Sequence, residues 1–132
     1  MSSEAARILV VEDNRDTSVL LRELLEGEGY QVESEATGEA ALAALERAPD
    51  VDLIVLDLML PGLSGWEVAR RLRQDPRTSG VPIIAVSALA RSQERESALH
   101  AGCDAYVAKP FTPDELARLM ATTLETQDVG AR

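Results

Sequence analysis

Three acids, a hydroxyl and a lysine stand at the ends of short apolar runs in this chain. Glu12-Asp13 follows "RILVV", Asp57 lies in "VLDLMLPG", Ser87 closes "VPIIAVS", and Lys109-Pro110 ends "DAYVAKP". An ionised carboxylate is costly to bury alone, so Asp57 must be exposed, paired or bound to a cation. If the runs bring these residues together, their like charges repel unless a cation sits among them. Magnesium suits such a group, because it takes hard oxygen ligands, uses one or two carboxylates and keeps some waters. With Mg²⁺ present, a carboxylate can attack a phosphoryl group and form an acyl phosphate. A lysine ammonium and a serine hydroxyl are then suited to hold the remaining phosphoryl oxygens.

The order of elements decides whether these residues meet. Residues 7–11 read as a buried strand. Leu20, Leu21, Leu24 and Leu25 follow at helical spacing, and Gly27 and Gly29 supply a stop. Residues 30–35 alternate as an edge strand does, and the alanine-rich helix at 38–48 ends against Pro49. The nearly continuous apolar run at 51–58 suits a central parallel strand covered on both faces. Ser64-Gly65-Trp66-Glu67 has capping-box spacing and opens a helix carrying Val68, Ala69 and Leu72, stopped by Asp75-Pro76.

A fourth strand is expected at 81–87 and a fifth at 104–109. The helix between them, 91–101, is polar, with Ala98, Leu99 and Ala101 as its apolar anchors. Thr112-Pro113-Asp114-Glu115 combines an N-cap, a proline at the first helical position and a box-closing glutamate. Leu116, Leu119, Met120 and Leu124 give that last helix a core face, and residues 126–132 read as a frayed tail after a domain at 7–125. Residues 1–6 read as a flexible N-terminus. Strands alternating with helices imply an α/β fold: a doubly wound parallel sheet with right-handed crossovers and helices on both faces. Ligands in such folds sit at the carboxyl ends of the strands, which is where Glu12, Asp13, Asp57, Ser87 and Lys109 fall.

The totals narrow the function classes. The 132 residues suffice for one domain, 45% are hydrophobic, and the net charge of −10 argues against direct binding of nucleic acid, which requires clustered Lys and Arg. Cys103 is the single cysteine, so no internal disulfide and no Cys/His zinc cluster can form. The N-terminus lacks the pattern of a signal peptide, and no apolar stretch approaches the ~20 residues needed to span a bilayer. The expectation is a cytoplasmic protein with no membrane insertion.

Taken together and in this order, "VVEDN", "LDLMLPGLSG", "AVSA" and "YVAKPF" resemble the receiver domain of two-component response regulators over about residues 7–125. The resemblance implies a flavodoxin-like five-stranded sheet of order 2-1-3-4-5 with five helices. It implies that Asp57 is the phosphoacceptor, and that Asp13, Asp57 and the main-chain carbonyl of Met59 ligate Mg²⁺, with Glu12 acting through a metal-bound water. Ser87 is implied as the hydroxyl that swings toward the phosphoryl group, Lys109 as its partner, and Tyr106 as the switch aromatic. The Lys109-Pro110 bond is implied to be cis. Implied partners are a histidine kinase or histidine phosphotransfer protein as donor and a downstream target protein as receiver of the signal. Such a module catalyses only its own phosphorylation and dephosphorylation.

Plainer readings exist for each residue. Asp57 could simply reach solvent at a strand end, Glu12-Asp13 could cap the first helix, and Tyr106 could be half-buried packing. Trp66 is read as packing over a neighbouring loop, His100 as an exposed surface residue, and Met59 and Met120 as packing side chains. A flavodoxin-like small-ligand-binding protein would need a Ser/Thr/Gly-rich loop after the first strand, where this chain has Glu12-Asp13-Asn14. An Asp-nucleophile phosphatase would need an acid at the position of Met59, and no glycine-rich lysine loop marks a P-loop hydrolase. The initiating Met1 and short tail favour a stand-alone, single-domain regulator, with a module excised from a hybrid kinase or larger regulator as the alternative. The resemblance implies that Met59 and Leu89 flank the phosphoryl site, where polar side chains can guide an attacking water; both are apolar here, so slow self-dephosphorylation is expected.

Overall fold

The computed structural model describes residues 5–88 and 92–130. Five strands and five helices alternate: β1 (Arg7–Val11), α1 (Arg15–Gly27), β2 (Gln31–Glu35), α2 (Gly38–Arg47), β3 (Leu53–Asp57), α3 (Gly65–Gln74), β4 (Ile83–Ser87), α4 (Ser92–Ala101), β5 (Ala105–Ala108) and α5 (Pro113–Gly130). All neighbouring strands pair in parallel, in the order β2-β1-β3-β4-β5. The α/β doubly wound sheet expected from the alternation is therefore the fold. β1 coincides with its expected run, and the other strands are shorter than theirs; Pro82, just before β4, still extends the pairing with β3 by accepting the Ile54 N–H at 2.9 Å.

Strand residues alternate between two apolar layers. Leu9, Val11, Ile54, Leu56, Ile83 and Ala85 pack under α2, α3 and α4, meeting Ala41, Leu45, Val68, Ala69, Leu72, Ala98 and Ala101. Ile8, Val10, Val32, Leu53, Val55, Ile84 and Val86 face the opposite side, against Leu21 and Leu25 of α1 and Leu116 and Met120 of α5. β3 and β4 are buried along their whole length, as strands covered on both faces must be.

The helix starts follow the local signals. Asn14 caps α1 by accepting from the Thr17 N–H, Thr37 caps α2 through Ala40, and Ser64 caps α3 through Glu67. Thr112 and Glu115 form a reciprocal box, each accepting from the other's backbone N–H. The box at Ser64 closes in one direction only, because Glu67 turns instead to Arg70 and Arg71.

Four expectations need correction. α5 continues to Gly130, so the backbone of 126–130 is helical rather than a tail. Leu20 and Leu99 lie on the solvent side of their helices, leaving Leu21 and Leu25, and Ala98 and Ala101, as the buried anchors. Met59 is 50% exposed, whereas Met120 is fully buried as expected. Spacing of 3.6 places a leucine on a stripe, and neighbours in the stripe can still fall to either side of its edge.

Arg73 is the tie between elements that sequence reading did not find. It is 22% exposed, and its guanidinium donates to the carbonyls of Gly102 (2.8 Å), Thr78 and Ser79 (3.2 Å each) and to Asp104 Oδ2 (2.8 Å). The same carboxylate oxygen accepts from the Ile83 N–H at 2.8 Å. Gly102 has φ +114, and a Cβ there would lie 2.6 Å from Arg73 Cγ, so glycine is required for both reasons. The end of α3, the loop after it and the turn after α4 are thus held by one planar fork.

Replacing Arg73 by Ala is expected to lower the unfolding free energy by about 2–3 kcal/mol in urea titration, and Arg73→Lys should recover little of it because an ammonium cannot span the fork. An unchanged midpoint in Arg73→Ala would show that the tie carries no stability. Burial pushes the Cys103 thiol up to about 12, so it stays protonated and shielded. Iodoacetamide at neutral pH should label it in urea and leave it unlabelled in the native protein, as intact mass will report.

Candidate functional site

The sheet delivers its polar residues to one rim. β1 ends at Val11, and Glu12 follows with its N–H donated to the Glu35 carbonyl at 3.0 Å, which continues the β1–β2 pairing by one residue. Asp57 is the last residue of β3, and Leu58 donates to the Val86 carbonyl at 3.0 Å. Ser87 is the last residue of β4, and its carbonyl accepts the Lys109 N–H at 2.8 Å. Glu12 (3% exposed), Asp57 (5%) and Ser87 (0%) are buried, whereas Asp13 is exposed.

Glu12, Asp13 and Asp57 each offer a carboxylate oxygen, and these oxygens lie within 4.8 Å of one another. Lys109 Nζ lies 3.0 Å from Glu12 Oε1 and 3.6 Å from Asp57 Oδ2, so one ammonium bridges two buried acids. Glu12 Oε2 accepts from the Asn14 N–H at 3.1 Å, and Asp57 Oδ1 from the Met59 N–H at 2.9 Å. Burial pushes the Glu12 carboxyl above the usual carboxylate range; the Lys109 hydrogen bond opposes that shift, and the neighbouring Asp57 adds to it.

Three carboxylates against one ammonium leave an excess of negative charge on the rim. The donor set is all hard oxygen, with two acids buried and one open to solvent. That composition fits Mg²⁺, which takes one or two carboxylates and retains water on its open side.

The backbone around Asp57 is closely packed. The Gly65 N–H donates to the Leu58 carbonyl at 3.1 Å, and a Cβ on Gly65 would fall 2.4 Å from the Asp57 carbonyl oxygen and 2.6 Å from Leu58 Cα. Only glycine allows α3 to start that close to the end of β3. Sequence reading placed Gly65 in a capping box and missed this contact, which no local pattern signals.

The remaining expected residues fall as follows. The Lys109–Pro110 peptide is cis. Tyr106 is half-buried and packs on the layer beneath α4. Met59 borders the site with its side chain largely in solvent, and His100 is exposed on α4. Trp66 packs at the edge of the same layer as Tyr106. Leu89, and the loop 87–91 beyond Ala88, lie outside the described residues. No described helix is long and apolar enough to cross a membrane.

Comparison with known proteins agrees with this arrangement. Residues 8–121 match the family model of the response regulator receiver domain. The phosphate regulon transcriptional regulatory protein PhoB of Rhizobium meliloti is 50% identical over 117 residues, covering 87% of this chain and 51% of that protein. The chain thus spans about half the length of that regulator. A 14.6 kDa protein of Leptolyngbya boryana is 42% identical over 113 residues, covering 86% of each chain. Among solved structures, the receiver domain of the sensor histidine kinase PA1611 from Pseudomonas aeruginosa, with a magnesium ion coordinated in its active site cleft, superposes with a TM-score of 0.85. It is 36% identical, and the match covers 92% of this chain and 98% of that one. With the strand order, the acidic rim and these matches in agreement, the chain belongs to the response regulator receiver domain family of two-component signalling.

Proposed function

We propose that this chain accepts a phosphoryl group on Asp57 from a histidine kinase or histidine phosphotransfer protein, in a Mg²⁺-dependent reaction. The observation that carries this reading is the convergence of Glu12, Asp13 and Asp57, with Lys109 Nζ bridging Glu12 and Asp57. Asp13, Asp57 and the Met59 carbonyl would hold the metal directly and Glu12 through a water. When bound, Mg²⁺ neutralises charge on the phosphoryl oxygens.

The chain's own residues do the rest. An oxygen of the ionised Asp57 carboxylate attacks phosphorus, the phosphorus–nitrogen bond of the donor phosphohistidine breaks, and its electron pair returns to the imidazole. Met59 N–H fixes the rotation of the Asp57 carboxylate by donating to Oδ1. Lys109, released in part from Asp57 as the new oxygens arrive, can donate to them while keeping Glu12 as its second partner. Ser87 ends the adjoining strand, and in this reading its hydroxyl donates to another phosphoryl oxygen. Tyr106 lies one strand further out, so movement at Ser87 would be read by Tyr106 on the α4, β5 and α5 face and from there by a target protein.

In the cell this corresponds to a cytoplasmic single-domain regulator in a phosphorelay, comprising residues 7–125, with no direct contact to nucleic acid. The near-full-length match to the 14.6 kDa protein supports that reading. A second reading, the receiver part of a longer regulator, is supported by the half-length match to PhoB.

Incubation with Mg²⁺ and acetyl phosphate should add one phosphoryl group by intact mass, and Asp57→Asn or excess chelator should abolish the gain. Beryllofluoride with Mg²⁺ should move amide resonances on α4, β5 and α5. A wild-type chain that gains no mass under any of these conditions would refute the reading. Met59, exposed beside Asp57, offers no group to orient water. Met59→Asn combined with Leu89→Glu should therefore shorten the phosphorylated lifetime by about tenfold, ~1.4 kcal/mol in the barrier; an unchanged lifetime would exclude that role.

A further inference from the structure

The start of α2 is packed against the loop that joins β3 to α3. Gly38, the first residue of α2, is buried, and a Cβ built on it would lie 2.7 Å from Val68 Cγ2, 3.0 Å from the Leu63 carbonyl oxygen and 3.3 Å from Leu63 Cβ. Its φ is outside the left-handed region, so the backbone conformation does not call for glycine. The space does. A second contact lies beside it, since a Cβ on Gly62 would be 3.4 Å from Glu39 Oε2.

Neither side can back away. Val68 is fully buried and β-branched, so its methyl groups have little rotamer freedom. Leu63 meets Gly38 through its main-chain carbonyl, and the next residue, Ser64, caps α3 by accepting from the Glu67 N–H at 3.3 Å. Ala41 and Leu45 hold α2 in the packed layer behind it. Ala36 and Thr37 alone separate α2 from Glu35, whose carbonyl accepts the Glu12 N–H at 3.0 Å. The start of α2 is thus tied to the part of the rim that carries Glu12 and Asp13, and it bears on residues 58–64, which carry Met59. Leu58 and Gly65 pin the two ends of that segment, so a push at Leu63 is taken up between Met59 and Gly62.

We propose that Gly38 is a positioning residue for the metal: its missing side chain lets α2 seat against Leu63 and so sets where the Met59 carbonyl stands relative to Asp13 and Asp57. The proposal rests on the reading of that carbonyl as an Mg²⁺ ligand. Mg²⁺ demands near-ideal octahedral geometry, so displacing one ligand weakens its binding. Altering a group that orients a metal ligand typically costs roughly 10–100-fold in affinity.

The test follows Mg²⁺ titrations through the amide resonances of Asp13 and Met59 in the full chain and in four variants. Gly38→Ala should bind Mg²⁺ about tenfold more weakly, and the metal-free variant should already show moved Met59 and Leu63 amides. Val68→Ala loosens the core without adding anything beside Leu63, so it should lower the urea midpoint and keep the wild-type Mg²⁺ affinity. Gly38→Ala made in the Val68→Ala chain retains the Leu63 contact and loses the Val68 one. It should bind severalfold more weakly than Val68→Ala alone, a comparison that holds even if Gly38→Ala by itself does not fold. Gly27→Ala adds the same methyl group where, among the described residues, no atom beyond its chain neighbours and its own helix lies within 4 Å, and it should change neither reading. Gly38 variants that match their parents in Mg²⁺ affinity would overturn the proposal and leave the phosphoacceptor reading standing. So would a Val68→Ala chain that loses Mg²⁺ as strongly as Gly38→Ala, because loosening of the core would then be the cause. A wild-type chain that binds no Mg²⁺ would overturn the metal reading and this proposal with it.

Discussion

Two buried carboxylates share one ammonium at the end of an apolar sheet, and this sharing is the constraint on which the site rests. Glu12 and Asp57 repel each other, and burial strengthens that repulsion by removing the water that would screen it. Lys109 offsets it from a third strand end, 97 residues away from Glu12 in the chain. The arrangement holds only if β1, β3 and the segment after β5 end at the same level. The strand pairings enforce that level through the parallel register of β1 with β3, β3 with β4 and β4 with β5.

The rest of the architecture serves that registration. Packing on both faces keeps β3 and β4 dry to their last residues, so polarity appears only where the strands stop. Past Asp57 the chain must turn away and yet leave room for α3 to begin against the strand end. Gly65 meets that need by having no side chain where a methyl group would collide with the Asp57 carbonyl. The upward shift of the Glu12 carboxyl and the close backbone contact between Gly65 and Asp57 share a cause, the crowding of groups against a packed layer.

Much of this was legible in the sequence. Apolar runs ending in Glu12-Asp13, Asp57, Ser87 and Lys109 carry both the sheet and the site, since a doubly covered strand has to be apolar and its carboxyl end has to face outward. The capping signals at Ser64 and Thr112 likewise depend on residues three apart; the box at Thr112 forms in full, that at Ser64 in one direction, and the Thr37 cap of α2 was not read. What escaped depends on contacts between distant parts of the chain. Arg73 reaches Gly102 and Asp104 across 29 and 31 positions, and three of its four acceptor groups are carbonyls, which every residue possesses. The exposure of Leu20, Leu99 and Met59 escaped for another reason: hydrophobicity marks what can be buried, and the boundary of a packed stripe is drawn by its neighbours.

The Arg73 fork also sets a rule of motion for α4. That helix has ten residues and so extends about 15 Å, and the turn that follows it is fastened to α3 at Gly102 and Asp104. A rod fastened at one end can pivot but cannot slide. A rearrangement of α4 that kept these bonds would therefore be angular, smallest at Ala101 and growing toward Ser92, the end nearer Ser87 in the chain. The lever's long arm lies toward the end of β4, and its fulcrum lies beside Arg73.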